Sequence, residues 1–257
     1  MDSVTVNGIK VAYTRRGKGV PLMLVHGFPL DSRAWNEIIP FLEDKFDIIL
    51  PDLRGFGQST TVETPYTISD MADDIAGLLD HLGIGRMTLA GHSMGGYVAL
   101  AFAKKYPQRI NGLCLISSQA AGDPPDRKDG RYKTAAEVAE KGVGIVVEAM
   151  TSKLSADMRV QAFVRGVMEQ QSKSAVIGAL KAMAEREDSL SFLGSSHFPI
   201  VLIHGDADML IPIDRSKEIK AAVPSAQFMD LQGAGHMPMM ELAKETAEAL
   251  KILVPAA

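Results

Sequence analysis

The fold of this chain is best recognised from residues 87–98, which read Met87-Thr88-Leu89-Ala90-Gly91-His92-Ser93-Met94-Gly95-Gly96-Tyr97-Val98. The first four of these residues are apolar and read as a buried strand, whereas residues 97–104 have the character of a helix. The pentapeptide between them has the form G-x-S-x-G. A serine on a sharp turn from strand to helix has a strained backbone and exposes its hydroxyl above the sheet, so Ser93 is the candidate nucleophile.

The two glycines of the pentapeptide support this interpretation, because neighbouring backbone then passes too close for a β-carbon. The pattern is short, however, and glycine is common in this chain, with 23 residues. A glycine-rich turn without chemistry is the alternative. The interpretation therefore depends on whether the other groups needed by a serine nucleophile occur at suitable places.

The composition restricts the class of protein. The 257 residues are 46% hydrophobic and 23% charged with a net charge of −4, which is typical of a globular core domain with an insertion. The chain has no basic block, which argues against nucleic acid or an anionic membrane as a partner. It has neither a signal-peptide pattern nor an apolar run of membrane-spanning length, so we expect a cytoplasmic protein without membrane insertion.

The single cysteine, Cys114, lies in an apolar run and is expected to be a buried, inert thiol. No disulfide can form within the chain, which agrees with a reducing compartment. The composition leaves open whether the chain forms a homo-oligomer.

Strand-like and helix-like segments alternate in the first half of the chain. Asn7-Gly8 is a two-residue hairpin signal between two short strands. The further segments predict a mostly parallel sheet covered by helices on both faces, the α/β class. The predicted strands are 3–6, 9–14, 22–25, 47–50, 87–90 and 110–116, and the predicted helices are 34–43, 68–82 and the segment after Ser93.

The alternation stops after residue 118 and resumes near residue 199. Residues 122–131 are polar and rich in Gly and Pro, which predicts a loop, and residues 132–192 read as helical throughout. Strand 199–204, helix 215–222, strand 226–231 and helix 239–253 follow. We therefore expect a core domain of residues 1–119 and 196–257, with residues 120–195 inserted as a helical cap.

A serine nucleophile needs a general base, and six histidines are available. His236 follows the last predicted strand, at the strand end where open α/β sheets place their ligands. His81 closes an exposed helix, His204 reads as a packed core residue, and His92 is expected to point away from its neighbour Ser93. His236 is therefore the predicted base.

The acid that orients the base should also follow a strand, and two carboxylates compete in Gly205-Asp206-Ala207-Asp208. Asp206 is close enough to the strand to cap the turn. Asp208 lies further into the loop, from which it can reach the histidine. The other plausible position, after strand 110–116, has no carboxylate before Asp123. Asp208 is therefore predicted, and the order Ser93, Asp208, His236 is that of α/β-hydrolases.

Acyl transfer also needs two donors for the oxyanion. One is the backbone N–H of Met94, which directly follows the serine. The other is expected after strand 22–25, where the chain reads His26-Gly27-Phe28-Pro29. Phe28 can supply an N–H, whereas Pro29 has none.

These motifs resemble the α/β-hydrolase superfamily, in the compact branch with cofactor-free haloperoxidases and perhydrolases, small carboxylesterases and enol-lactonases. The resemblance implies a Ser93–Asp208–His236 triad and backbone oxyanion donors at Phe28 and Met94. Dehalogenases and epoxide hydrolases of this superfamily carry Asp at the nucleophile position, which is Ser93 here. The matching segments are 26–29 with Trp35, 52–59, 91–96, 205–208 with Pro212, and 233–236.

The implied activity is hydrolysis of small-molecule carboxylic esters, class EC 3.1.1, through an acyl-enzyme and without metal or organic cofactor. Lactone hydrolysis and perhydrolase or haloperoxidase-like activity at the same site are alternatives, as is carbon–carbon bond hydrolysis. A receptor that retains the triad is a further alternative.

The predicted cap is rich in flexible apolar side chains, which favours short to medium acyl groups. Predicted substrate contacts are Trp35, Met150, Met168, Met183 and Met237. No cap arginine or lysine can be singled out from the sequence as a clamp for a carboxylate.

Overall fold

The structure, a computed structural model, describes residues 1–254, and within them eight strands form one sheet. The order across the sheet is β1-β2-β4-β3-β5-β6-β7-β8. The first two strands are antiparallel to their neighbours and the other pairings are parallel. The strands are β1 (Asp2–Val6), β2 (Ile9–Gly17), β3 (Val20–Val25), β4 (Phe46–Pro51), β5 (Met87–His92), β6 (Ile110–Ile116), β7 (Ile200–Gly205) and β8 (Gln227–Leu231).

Helices cover both faces of this mostly parallel sheet, which confirms the predicted α/β class. Within residues 1–254 they are α1 (Ile68–His81), α2 (Met94–Lys105), α3 (Pro125–Lys141), α4 (Gly144–Leu154), α5 (Met158–Met168), α6 (Lys173–Ala184), α7 (Leu190–Gly194), α8 (Asp214–Ala222), α9 (Pro238–Glu241) and α10 (Ala243–Lys251). None of them is long and apolar enough to cross a membrane.

Two hydrophobic cores lie on opposite faces of the sheet because successive residues of a strand point in opposite directions. Met23 and Val25 of β3 belong to the core beneath α1 and α2, whereas Leu22 and Leu24 belong to the core that contains Trp35. Strands buried on both faces read as continuous apolar runs, which is why they are recognisable in the sequence.

The start of α1 shows how local sequence defines an element. The Thr67 hydroxyl accepts a hydrogen bond from the Asp70 N–H, and the Asp70 carboxylate accepts one from the Thr67 N–H. This reciprocal capping box satisfies two backbone donors that a helix leaves free at its first turn. The helix begins at Ile68, as the apolar periodicity predicts.

The helix predicted over residues 34–43 is wrong. Two short 3₁₀ turns, Ser32–Trp35 and Ile39–Phe41, occupy this segment. Pro40 lacks an N–H and disfavours helical backbone at the residue before it, so a continuous α-helix cannot pass through this position.

The boundaries around the inserted helices also differ from the prediction. Residues 125–131, predicted as loop, form the first turns of α3, because Pro125 stands at a helix N-terminus, where its missing N–H costs nothing. The single helix predicted over 239–253 divides into α9 and α10 at Leu242, which has non-helical angles of φ −134° and ψ 59°.

Five helices, α3 to α7, stand between β6 and β7. They contribute most of the wall of a cavity that also contains Ser93 and His236. The inserted segment therefore lies over the end of the sheet at which β5 and β8 finish, and it brings side chains distant in sequence to this point.

Candidate active site

Ser93 occupies the turn between β5 and α2, with backbone angles of φ 52° and ψ −115°. A positive φ is strained for a residue other than glycine, and such strain persists only where surrounding contacts enforce it. The Ser93 N–H donates to the Ile116 carbonyl at 2.9 Å, and its carbonyl accepts from the Ser118 hydroxyl at 2.9 Å. Strand β6 and the residues after it thus fix the turn.

The glycines on either side of the serine allow this close packing. A β-carbon at Gly91 would lie 2.2 Å from the Gly95 carbonyl oxygen, and one at Gly95 would lie 2.2 Å from the Val25 carbonyl oxygen. Both distances are far shorter than a van der Waals contact. The atoms in the way are backbone carbonyl oxygens, which cannot rotate away as a side chain can. The turn therefore requires glycine at both positions.

The side chains of Asp208 and His236 form a hydrogen-bonded pair. His236 follows β8 and Asp208 follows β7, and the His236 Nδ1–H donates to Asp208 Oδ2 at 2.7 Å. Both side chains are buried, with 1% and 0% of their area exposed. The second carboxylate oxygen of Asp208 accepts backbone N–H groups from Leu210 and Ile211, at 2.8 and 3.0 Å.

Asp208 is held in its ionised form. Burial by itself would raise the pKa of this carboxyl, but the charge of His236 and hydrogen bonds from His204, His236 and the Ile211 N–H lower that pKa well below its ordinary value. An ionised, buried carboxylate can orient the imidazole and stabilise a positive charge on it.

Asp206, the other carboxylate considered as the acid, points its side chain toward the loop after β8. Its Oδ1 accepts the Gly233 N–H at 2.6 Å, so it joins the loops after β7 and β8 without contacting the His236 ring. His204, predicted as a core residue, is fully buried at the end of β7. Its Nε2 donates to the Ile211 carbonyl at 2.8 Å and lies 3.3 Å from Asp208 Oδ2, so it supports the acidic loop.

His92 has a role that the sequence does not indicate. Its ring centroid lies 4.8 Å from that of His236, and its Nε2–H donates to the His236 carbonyl oxygen at 2.8 Å. Burial and the neighbouring charge of His236 lower the pKa of His92 to about 3. His92 is therefore neutral and anchors the histidine loop.

Two backbone N–H groups stand near Ser93 without a partner. Neither the Phe28 nor the Met94 N–H donates a hydrogen bond to another atom of residues 1–254. His26 shapes the loop of Phe28, because its Nδ1–H donates to the Gly27 carbonyl at 3.0 Å and its Nε2 accepts the Leu53 N–H at 2.9 Å. Burial lowers the pKa of His26, so the ring is neutral.

A cavity of about 450 Å³, called the active cavity below, contains Ser93 and His236. Phe28 lines it on the side of the sheet, while α3, α4 and α6 close it from above. Of the predicted substrate contacts, Met150 and Met183 lie on its wall. A partly open, mainly apolar space beside the paired histidine can hold a small organic molecule.

Three predicted substrate contacts require correction. Trp35, Met168 and Met237 have no exposed surface and belong to the core on the far face of the sheet, away from the cavity wall. Trp35 packs edge-on against His92, with 6.3 Å between ring centroids. A hydrophobic residue near a motif is as readily a core residue, and the sequence contains no signal that separates the two.

Sequence reasoning missed several residues of the active cavity. Tyr97 lies one helical turn after Ser93, so its position was open to prediction from the periodicity of α2. Arg127, Arg131 and Lys153 also line the cavity. Only the packing of α3 and α4 over the sheet brings them there. Within residues 1–254, no group of three His, Cys, Asp or Glu side chains is arranged as a metal site.

The order of the strands, the strained turn at Ser93 and the Asp208–His236 pair together define an α/β-hydrolase architecture. The family model described as alpha/beta hydrolase fold matches residues 20–242. The chain belongs to this family.

The chain is similar to an esterase, an enol-lactonase and an acetyltransferase component. A thermophilic esterase from Thermogutta terrifontis, solved with malate bound, is 36% identical with a TM-score of 0.93, covering 98% of this chain and 97% of that one. The enol-lactonase from Burkholderia xenovorans LB400 shares the fold at 23% identity and a TM-score of 0.90, covering 98% and 99%. The dihydrolipoyllysine-residue acetyltransferase component of the acetoin cleaving system of Cupriavidus necator is 30% identical over 96% of this chain and 67% of its own.

Proposed function

We propose that this hydrolase is a carboxylesterase that acts through Ser93, His236 and Asp208. The observation that carries the proposal is the buried Asp208–His236 pair, 2.7 Å between Oδ2 and Nδ1, whose imidazole lines the same cavity as a serine with a φ of 52°. The similarity to the Thermogutta terrifontis esterase, at 36% identity over nearly the whole chain, supports the same reaction class.

In the first half of the proposed reaction, Ser93 Oγ attacks the ester carbonyl carbon and its proton passes to His236 Nε2. Asp208 holds the imidazole tautomer and stabilises the imidazolium. The free N–H groups of Phe28 and Met94 receive the developing oxyanion. The C–O bond then breaks, the alcohol leaves with the proton from His236, and an acyl-serine remains.

In the second half, a water molecule attacks the acyl carbon while His236 takes its proton. The carboxylic acid then leaves and Ser93 regains its hydrogen. The helical segment 120–195 would act as a cap that excludes bulk water and shapes the acyl site. No step requires a metal or an organic cofactor.

The test is hydrolysis of p-nitrophenyl acetate and butyrate by the purified chain. We expect turnover by the natural protein and a loss of at least about 10³-fold in Ser93→Ala, because the nucleophile is removed. Ser174→Ala, on the exposed face of α6, is the matched control. A fluorophosphonate probe should transfer its phosphonyl group to Ser93 Oγ, with loss of fluoride. Near-normal turnover in Ser93→Ala would contradict the proposal.

A narrower substrate class, esters or lactones that carry a carboxylate, is a second candidate. Three cations line the active cavity, Arg127, Arg131 and Lys153, against one lining carboxylate, Glu137. Asp123, outside the wall, pairs with both arginines, so Lys153 carries most of the free positive charge. The cavity therefore has an excess of positive charge, although the whole chain has a net charge of −4. Such a cavity attracts anions. The 36% identical esterase from Thermogutta terrifontis was solved with malate, a small dicarboxylate, bound, which supports this candidate.

Monomethyl succinate and methyl butyrate test it, since they differ by a carboxylate. We expect Lys153→Gln to raise KM for monomethyl succinate about five-fold, as loss of a partly exposed ion pair would, and to leave methyl butyrate nearly unchanged. Lys133→Gln, on α3 but outside the cavity wall, is the control. Equal effects on both esters would rule out a clamp at Lys153.

A further inference from the structure

Tyr97 is shared by two cavities. One is the active cavity, and the other is a cleft of about 400 Å³ between α2, the start of α1 and the end of α6, called the rear cleft below. Its floor includes Ile68, Leu100 and Ala120, and charged side chains, among them Lys104 and Glu187, stand at its rim. Tyr97 itself is 4% exposed and forms part of both walls.

The two spaces follow one another along a single face of α2. Residues four apart on a helix lie above one another, so Ser93, Tyr97 and Ala101 form a row. Helical side chains also lean toward the N-terminus, the direction in which Ser93 lies from Tyr97. The row begins in the active cavity at Ser93 and continues in the rear cleft at Ala101.

The Tyr97 ring is clamped. The Arg186 guanidinium lies over it, 4.0 Å from the ring centroid. Arg186 in turn is 2.9 Å from the Asp123 carboxylate and donates to the carbonyl oxygens of Met183 and Ala121, at 2.8 and 2.9 Å. The contact with the Asp123 carboxylate and the two hydrogen bonds to backbone carbonyl oxygens fix the Arg186 guanidinium, which holds the ring in place as a partition.

We propose that Tyr97 sets the acyl-length limit of this enzyme, and that the rear cleft is the space an acyl chain enters when the partition is removed. This inference rests on the proposed esterase function. An acyl group on Ser93 extends along the α2 face and meets the Tyr97 ring one turn away. Short and medium chains fit in front of the ring, and longer ones must displace it together with Arg186.

The distribution of charged side chains in the rear cleft is compatible with an apolar group bound on its floor. Ile68, Leu100 and Ala120 offer hydrocarbon surface. Of the charged groups, Arg186 is buried beside the Tyr97 ring, and the others, Lys104, Lys105, Glu185 and Glu187, stand at the solvent edge. Methylene groups gain by leaving water for such a floor, and burial of two of them is worth about ten-fold in binding.

The experiment compares kcat/KM for p-nitrophenyl decanoate and p-nitrophenyl butyrate. We expect Tyr97→Ala to raise the decanoate-to-butyrate ratio about ten-fold or more. Tyr97→Phe keeps the ring and should leave the ratio within about two-fold of the natural protein. In Tyr97→Ala/Ala101→Trp the indole refills the rear cleft, and the gain should disappear.

Thermal unfolding establishes that each variant is folded, and Tyr97→Leu provides a smaller side chain should the alanine variant not fold. An unchanged ratio in folded, active Tyr97→Ala and Tyr97→Leu would overturn the inference. A gain that survives Ala101→Trp would do the same, as would a change seen only when the alcohol chain is lengthened.

The failure of this inference is distinguishable from failure of the proposed function. If the natural protein hydrolyses p-nitrophenyl butyrate in a Ser93-dependent manner and the ratio does not respond to Tyr97, only the acyl-length role falls. If hydrolysis is absent or survives Ser93→Ala, the proposed function falls and the inference falls with it.

Discussion

The imidazole of His92, next to the candidate nucleophile, donates a hydrogen bond from Nε2 to the backbone carbonyl oxygen of His236, 2.8 Å away. The turn that carries Ser93 is thereby tied directly to the loop that carries the candidate base. Since the pKa of His92 is lowered to about 3, this link is the same from pH 5 to pH 9.

Replacement of His92 by phenylalanine should impair the site without changing its titration. The ring shape is kept, but the His236 carbonyl loses its buried donor, at a cost of about 1–3 kcal/mol. We expect a lower melting temperature and a kcat reduced about ten-fold or more, with the pH profile of kcat unchanged in shape. A melting temperature and kcat equal to those of the natural protein would contradict a positioning role.

Replacement of Asp208 by asparagine should preserve the fold and remove most of the activity. The amide oxygen can still accept the His236 Nδ1–H, but it carries no charge to stabilise an imidazolium. We expect kcat to fall by about 10³–10⁴-fold. Asp206→Asn is the matched control, since Asp206 contacts the Gly233 N–H rather than the imidazole, and its loss should remain below about ten-fold.

The low pKa of Asp208 also predicts a pH dependence of stability. A carboxyl whose pKa is lower in the folded than in the unfolded chain stabilises the fold above its unfolded value, about 3.9, and this contribution is lost as the pH falls through the folded value. The difference in unfolding free energy between the natural protein and Asp208→Asn should therefore shrink below about pH 4. Urea unfolding between pH 3 and 7 measures this difference in unfolding free energy. A difference that grows as the pH falls would contradict the prediction.

Alanine substitutions at two glycines should have opposite effects. At Gly95 the added carbon would lie 2.2 Å from the Val25 carbonyl oxygen, so the nucleophile turn must move and both activity and melting temperature should drop. At Gly166, in the interior of α5, the added carbon meets nothing within 4 Å. Gly166→Ala should stabilise the fold by about 0.5–1 kcal/mol, measured by chemical unfolding, with activity retained.

The thiol of Cys114 should be unreactive in the native protein. It is fully buried in β6, and burial raises its pKa far above the ordinary value. We expect no reaction with 5,5′-dithiobis(2-nitrobenzoate) over an hour under native conditions, and one equivalent in guanidinium chloride. Rapid native labelling would show that the β6 core opens far more often than its packing indicates.

Local signals were sufficient for much of this fold. Strands β3 to β7 are recognisable because strands covered on both faces must be apolar along their whole length. The capping box at Thr67 and Asp70 marks the start of α1 in the same way. Two predicted segments are wrong at prolines. Pro40 interrupts the predicted helix, and Pro125 begins a helix within the predicted loop.

The sequence by itself determined the serine turn and its glycines, the order of Ser93, Asp208 and His236, and the strand ends at which they stand. These follow from residue type and spacing, because a strained turn and a parallel sheet impose local requirements. Three features follow from the packing of the whole chain. His92 donates to the His236 carbonyl, Trp35 and Met237 belong to the far core, and Arg127 and Lys153 line the active cavity. Those outcomes depend on how helices from distant parts of the chain pack over the sheet, and no local pattern encodes that packing.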